Sequence, residues 1–250
     1  MDIIFGRNAV KAAIRSGRSI DKLIASKELS DPSVREILTL AAQHHIPIVR
    51  ADRRKLDSLT MPFGFGGKPA NHQGVLAVAP ARDYDTIEDI FALAEKRSEP
   101  PFIVLLDGIT DEGNLGSIIR SAEVLGAHGV VLGKHRSASL SAVASKSSSG
   151  AADLIPIVKV TNITSTIEEL KEKNVWTVAA YPEGQSAAAI DMKGAIAIVV
   201  GSEGEGLSRL VLEKCDFKAR IPMKGQTGSL NAAVAAAVLM YEKVRQDGTA

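Results

Sequence analysis

FIVLLDGITDEGNLGSIIRSAEVLGAHGVVLG, residues 102–133, begins and ends on an uninterrupted apolar run. FIVLLD (102–107) and GVVLG (129–133) lack the polar alternation of a half-exposed strand. Such runs suit strands of a parallel sheet that is covered on both faces. The stretch between them has helical spacing, with Asn114 and Gly116 preceding or opening the helix. The rhythm continues through LIPIVKV (154–160), VWTVAA (175–180), AIAIVVG (195–201) and FKARIPM (217–223), with helical stretches separating most of them. This predicts an α/β fold with a mostly parallel sheet.

Working outward, a smaller alternation precedes it. KLIAS (22–26), IPIVR (46–50) and GVLAVA (74–79) read as strands, and 7–16 and 31–45 as helices. Asp31 is placed to cap the second helix, with Pro32 at its first position. The chain therefore divides into an α/β unit (1–80), a linker carrying an amphipathic helix (81–98) and a larger domain (99–250). FGFGGKPANHQG (63–74) reads as a flexible connection.

Composition narrows the function classes. The 250 residues are 45% hydrophobic and 24% charged, which is globular material. Aromatics are 4%, which weighs against a broad aromatic platform for stacking bases. Cys215 is the sole cysteine, so an intramolecular disulfide and a cysteine-based zinc site are both excluded. It reads as a small buried hydrophobe, and Trp176 as a core strand residue. The five histidines form no metal constellation, so no metal is expected. Nothing resembles a signal peptide or a membrane span, so a cytoplasmic protein is expected.

In open parallel sheets, ligands gather at the carboxyl ends of strands, and three strand ends here carry unusual loops. The first leads to Asn114, with Arg120 further along the helix; from spacing alone these are equally a helix cap and a surface ion-pair partner. The second, GSEGEGLS (201–208), has Gly201, Gly204 and Gly206 in the order G-x-x-G-x-G, which fails the dinucleotide fingerprint. Glu203 and Glu205 disfavour a phosphate there and tolerate a cation. The third, GQTGSLN (225–231), runs into an Ala/Val helix, with Ser229 a candidate cap.

Taken together, NLGSIIRSAE, IVVGSEGEGLS and IPMKGQTGSLNAAVAAAVLMYE resemble the three motifs of the SpoU/TrmH branch of the SPOUT RNA 2′-O-methyltransferases. The likeness extends through HRSASLSAVASKSSSGAADLIPIVKVTNI and back to FGRNAV and HQGVLAV, nearly the whole chain. Within the family it is nearest the bacterial 23S rRNA guanosine-2′-O-methyltransferase type. The resemblance implies a trefoil-knotted C-terminal methyltransferase domain with a small N-terminal α/β RNA-binding domain. It also implies a homodimer, S-adenosylmethionine as methyl donor and an RNA substrate, 23S rRNA in the first instance.

By the same resemblance, Asn114, Arg120, Glu203, Ser229 and Asn231 form the reaction centre. Gly201, Ile221 and Leu230 give main-chain contacts to the cofactor, with Met223 close by. Two positions depart from the family pattern: Asp111-Glu112 stands where Asp-Pro is common, and Ala232-Ala233 where Val-Ser is common. Arg7, Lys11 and Arg15 recur along one face of the first helix and suit RNA phosphates, although such a run is equally a solvated face. His72 occupies a family loop position that could touch RNA. Three other readings stay open: a tRNA ribose methyltransferase, a non-catalytic RNA-binding or ribosome-assembly protein, and a serine hydrolase using Ser229. Against the last, no G-x-S-x-G surrounds Ser229 and no histidine follows it.

Overall fold

The computed structural model describes residues 2–28 and 31–248. It contains two compact units, Met1–Asp83 and Tyr84–Ala250. In the first, the chain runs β1 (Asp2–Phe5), α1 (Arg7–Arg15), β2 (Lys22–Ser26), α2 (Pro32–Gln43), β3 (Ile48–Ala51), α3 (Arg53–Thr60) and β4 (Val75–Ala79). The sheet order is β1-β4-β2-β3. β4 is antiparallel to both its neighbours, and β2 and β3 are parallel.

β4, VLAVA, is buried at every position because both faces are covered. Val75 and Ala77 join Val10, Ile14, Leu23 and Ile37 on one side. Leu76 and Val78 join Ile24 and Leu56 on the other. α2 begins as expected: the Asp31 carboxylate accepts from Ser33 N (3.1 Å) and Val34 N (3.3 Å). Pro32 occupies the first turn, where a missing N–H costs no helical bond. Two elements lie outside the sequence reading. β1 is four residues long, too short for its period to register, and α3 begins within a basic cluster whose propensity gives no strong signal.

The second unit comprises α4 (Ile87–Arg97), β5 (Phe102–Asp107), α5 (Glu112–Val124), β6 (Gly129–Gly133), α6 (Ala142–Ser147), β7 (Ile157–Val160), α7 (Ile163–Glu172), β8 (Trp176–Ser186), β9 (Ile196–Gly201), α8 (Arg209–Lys214), β10 (Phe217–Arg220) and α9 (Ala232–Asp247). Its six strands are all parallel, in the order β10-β8-β9-β5-β6-β7. Alternate residues of β5 explain its continuous apolar run. Val104 and Leu106 pack with Ile118 of α5 and Leu239 of α9, whereas Ile103 and Leu105 pack with Ile90, Ile167 and Val211.

From β5 the chain builds outward to β6 and β7, then returns on the other side through β8 and β9. β5 and β9 therefore flank the point where the topology reverses. Asp107 and Gly201 are partners in register at their carboxyl ends. Loops that leave such a point side by side form a natural crevice.

β8 is longer than its apolar run implies. Lys218 pairs with Ala179, whereas Ala219 pairs with Gln185, so residues 180–184 form an excursion between two paired segments. Gly184 permits it, since a Cβ there would lie 2.2 Å from the Lys218 carbonyl oxygen. Trp176 corrects the sequence reading. It is 56% exposed, at the N-terminal rim of β8, with its ring tilted against Phe217 at 5.8 Å. Cys215 is buried as expected, and burial together with the neighbouring Asp216 carboxylate pushes its thiol up to about 12.

α5 and α6 cross closely at Gly116, where a Cβ would lie 2.5 Å from both the Ala144 carbonyl oxygen and Ser147 Cβ. Gly116→Val should therefore destabilise the domain by about 1–3 kcal/mol, despite valine's better helix propensity. Urea denaturation compared with wild type measures this; an unchanged midpoint would show that the two helices part freely.

Candidate active site

Each of the three loops starts from a strand end and feeds a helix. Asp111 caps α5, its carboxylate accepting from Asn114 N at 2.7 Å. Asn114 thus sits in the first turn rather than at the cap, with its side chain released. Asn231 caps α9, its Oδ1 accepting from Ala233 N (3.0 Å) and Val234 N (3.3 Å). This corrects the assignment of that cap to Ser229. A β-turn-like latch closes the middle loop: Ser202 N donates to Gly206 O (3.1 Å) and Gly206 N to Ser202 O (3.0 Å). The latch needs glycine at 201, where a Cβ would lie 2.2 Å from the Gly206 backbone. Ser208 N donates to Asp107 Oδ2 at 2.8 Å, tying the loop back to β5.

These local devices bring three side chains together. Asn114 Nδ2 donates to Glu203 Oε1 at 3.0 Å. Asn231 Nδ2 donates to Asn114 Oδ1 at 2.9 Å and also to Glu203 Oε1. The backbone N–H of Ala232 reaches the same Glu203 oxygen at 3.2 Å. One carboxylate oxygen thus accepts from three donors, two of them at the start of α9, where the helix dipole favours negative charge. Glu203 is exposed, and its Oε2 has no hydrogen-bond partner among the described residues.

A cleft of about 360 Å³ adjoins this cluster. Gly201, Glu203, Ile221, Met223, Ser229 and Leu230 all line it, together with Ala180, Tyr181 and Pro182 from the β8 excursion. Among the described residues, its wall contains no lysine, arginine or histidine. Residues 222–230 are exposed and make no hydrogen bond to other described residues, so their backbone groups are available.

Arg120 is not brought into this cluster. It is exposed on α5, outside the cleft, and its side chain makes no ion pair or hydrogen bond with any described residue. Its position six residues beyond Asn114 is about 9 Å along the helix. Val124 of α5 and Val234, Val238 and Tyr241 of α9 are exposed as well, and the last three adjoin Asn114, Ser117 and Ser121 of α5.

In the N-terminal unit the expected basic residues are engaged within the fold. Arg7 makes a two-pronged pair with Asp31 (3.1 and 2.7 Å), Lys11 meets Glu36 at 2.6 Å and Arg15 meets it at 3.4 Å. His72 is 5% exposed. Its Nδ1 accepts from Gly74 N (2.9 Å) and its Nε2 lies 3.0 Å from Asp57 Oδ1. These bonds require the Nε2–H tautomer.

Residues 101–241 match the model of the SpoU rRNA Methylase family, and residues 3–85 match the model for RNA 2′-O ribose methyltransferase substrate binding. The chain belongs to the SpoU/TrmH family of RNA methyltransferases. YacO of Bacillus subtilis (strain 168), named for the TrmH family of tRNA/rRNA methyltransferases, is 39% identical over 246 residues, 98% of this chain and 96% of its own. The SpoU methyltransferase AviRb from Streptomyces viridochromogenes, in complex with AdoMet, superposes with a TM-score of 0.61 at 27% identity, covering 99% of this chain and 91% of that one. An AdoMet-bound rRNA methyltransferase from Sinorhizobium meliloti gives 0.59 at 25% identity, covering 97% and 86%. The family members thus share the α/β fold and parallel sheet described above.

Both departures from the family pattern find local partners. Glu112 accepts from Ser141 Oγ at 2.6 Å, joining α5 to the residue that caps α6. Ala232 and Ala233 are buried where α9 meets the sheet. Asp107 and the 180–182 wall escaped the sequence reading. The sequence reading offers Asn114 as the cap of α5 and names Asp111 only as a departure from the family pattern, whereas Asp111 is the cap; nothing local signals residues 180–182, because the β8 excursion exists only against β10. Among the described residues, no group of three or more histidine, cysteine or acidic side chains could hold a metal, and no helix is long and apolar enough to cross a membrane.

Asn231 serves two ends at once, which makes it testable. Asn231→Ala should cost about 1 kcal/mol of stability through loss of the cap. Asn231→Asp keeps a capping oxygen but sets a second carboxylate against Glu203. One carboxyl of that pair then has its folded pKa raised. Stability from a raised group is lost as pH rises, so the deficit relative to wild type should be greater at pH 8 than at pH 4. Urea titrations at the two pH values measure it, and equal deficits would mean that the carboxylates do not face each other.

Proposed function

We propose that this chain transfers a methyl group from S-adenosylmethionine to a ribose 2′-oxygen of RNA, with a guanosine of 23S rRNA as the target. The observation that carries the reading is the Glu203 carboxylate, which lines the cleft while one of its oxygens is fixed by Asn114, Asn231 and Ala232. The cleft suits the cofactor. It has an apolar wall from Val200, Leu207, Ala219 and Ile221, and carboxylates at Glu203 and Glu205 but no cation. That lining favours a positively charged, partly apolar ligand over a nucleotide phosphate. Gly201, Ile221 and Leu230 would hold it through main-chain groups, with Met223 beside them. When bound, S-adenosylmethionine supplies an electrophilic methyl carbon on a sulfonium that needs no further activation.

The remaining work falls to the chain: aligning the ribose and accepting its hydroxyl proton. Glu203 Oε2, the unshared oxygen, is the acceptor in this reading, and Asn114, Asn231 and Ser229 orient the sugar. Arginine is effectively always charged, so Arg120 stabilises negative charge at the 2′-oxygen or grips the adjacent phosphate. It stands apart from the cluster of its own chain. We therefore assign it to the site of a second copy, in a homodimer formed through the exposed Val124 of α5 and Val234, Val238 and Tyr241 of α9. The knotted C-terminal course implied by the resemblance belongs to the same reading.

Methyl-labelled S-adenosylmethionine should label one guanosine of unmodified 23S rRNA, mapped by resistance of the adjoining bond to alkali. Label on tRNA instead keeps the reaction and changes the substrate. No label on either RNA, with RNA binding intact, favours a non-catalytic RNA-binding protein. A second experiment tests the shared site. Arg120→Ala and Glu203→Ala should each abolish transfer while leaving the dimer intact. Mixed and exchanged in equal amounts, they should recover about a quarter of wild-type activity, because half the dimers are mixed and each holds one complete site. No recovery would place Arg120 in its own chain's site.

A further inference from the structure

The N-terminal unit contains a groove of about 890 Å³ that the methyltransfer reading does not use. Its floor is built around the buried His72, whose two ring nitrogens tie Gly74 and Asp57 together. This clasp presents Gln73 in the left-handed backbone region, φ +51°. Few non-glycine residues adopt that conformation, and they concentrate where function demands it.

The two carboxamides at the groove are oriented by their own bonds. Gln73 Oε1 accepts from Arg7 N (3.0 Å) and Asn71 Oδ1 accepts from Gln73 N (3.2 Å). Backbone N–H donors fix which end is oxygen, so both NH₂ groups are left unspent among the described residues. Arg53 and Lys68 line the groove beside Glu28 and Asp57 and, unlike Arg7, make no ion pair among the described residues. Three residues before Lys68, Phe65 is 96% exposed on a glycine turn. Gly66 and Gly67 have φ +64° and +70°, and a Cβ on Gly64 would lie 1.8 Å from the Lys68 carbonyl oxygen. A fully exposed phenylalanine is conspicuous in a chain with 4% aromatics.

We propose that this groove takes an unpaired nucleotide of the RNA substrate. The amide donors of Asn71 and Gln73 meet acceptors on the base edge, Phe65 stacks on a base, and Arg53 and Lys68 hold phosphates. Oriented donors and cations without an ion pair in the groove, with an exposed ring on the turn whose Phe65 carbonyl accepts from Lys68 N, fit single-stranded RNA, whose bases are splayed and accessible. A protein partner would not call for all three. The proposal rests on the RNA-methyltransferase reading and names the substrate form that it requires.

The test uses the full-length protein, a labelled single-stranded oligoribonucleotide and a duplex of the same sequence, followed by fluorescence anisotropy. Phe65→Ala should weaken single-strand binding about tenfold or more, whereas Phe65→Tyr keeps a ring and should retain it. Gln73→Gly preserves the backbone geometry while deleting the carboxamide, and should weaken single-strand binding without weakening duplex binding. The double variant Arg53→Ala, Lys68→Ala should flatten the salt dependence by about 1.4 in log–log slope, two phosphates' worth. Methyl transfer by Phe65→Ala and Gln73→Gly should show a raised KM for RNA with kcat kept. Unchanged single-strand affinity in both variants, or equal losses on strand and duplex, would overturn the proposal. Wild-type transfer with indifferent variants rejects the groove and leaves the enzyme reading standing. A selective single-strand loss in a protein that transfers no methyl group rejects the enzyme reading and leaves the groove.

Discussion

Three N–H groups converge on one oxygen of Glu203, and the geometry of the candidate site depends on that convergence. Asn114 is held by the first turn of α5, Asn231 and Ala232 by the start of α9, and Glu203 by a loop latched between Ser202 and Gly206. Each side chain comes from a different strand end. Asn231 is oriented by its own cap, whereas the side chains of Asn114 and Glu203 are bonded only to residues of the other segments. The shared oxygen converts three independent loops into one rigid cluster, and it leaves the second carboxylate oxygen open. The parallel sheet makes this possible because β5 and β9 end in register, Asp107 opposite Gly201. A one-residue slip between those strands would turn alternate side chains to the other face and separate the loops.

Much of this was legible in the sequence because it rests on local chemistry. FIVLLD and GVVLG match β5 and β6 residue for residue, since a strand buried on both faces must be apolar throughout. Asp31-Pro32 marked the start of α2 because both residues act through the backbone beside them. The loops at 201–208 and 225–231 stood out by composition, and Gly201, Gly204 and Gly206 of the first and Gly228 and Ser229 of the second line one cleft. What escaped depends on contacts distant in sequence. The β8 excursion exists only against β10, and Trp176 is exposed because it begins its strand at the rim of the sheet. The α9 cap illustrates the ambiguity: Ser229 and Asn231 are both good caps, and only the Glu203 contact fixes which residue ends the loop.

The basic stripe of α1 shows a different limit. Arg7, Lys11 and Arg15 are spaced four apart, which predicts one face and says nothing about what faces it. The answer lies in α2, where Asp31 and Glu36 engage all three. Asp31 both caps α2 and pairs Arg7, so the ion pair anchors the start of one helix to the start of another. Exposed pairs of this kind add little stability. Their consequence is positional, since Arg7 N–H also fixes the Gln73 carboxamide. Cations committed to such pairs can still contribute to a local field, but they are poor candidates for gripping a phosphate without first releasing a carboxylate.

That distinction bears on how one enzyme would handle two ligands of opposite charge. The cleft wall contains carboxylates and no cation, which suits a sulfonium cofactor and repels the phosphates of RNA. On the proposed reading the polyanion must therefore be held by charges outside the cleft, so that only the neutral ribose approaches Glu203. Arg53 and Lys68 in the N-terminal unit, and Arg120 on the exposed side of α5, are cations without an ion-pair partner among the described residues. On that reading, keeping cations out of the cleft avoids neutralising the field that would favour the cofactor. It also avoids anchoring a phosphate where the methyl group must travel. On the proposed reading, segregation of charge would account for an arginine supplied from a second copy rather than built into the cleft wall beside Glu203, where the two would pair with each other.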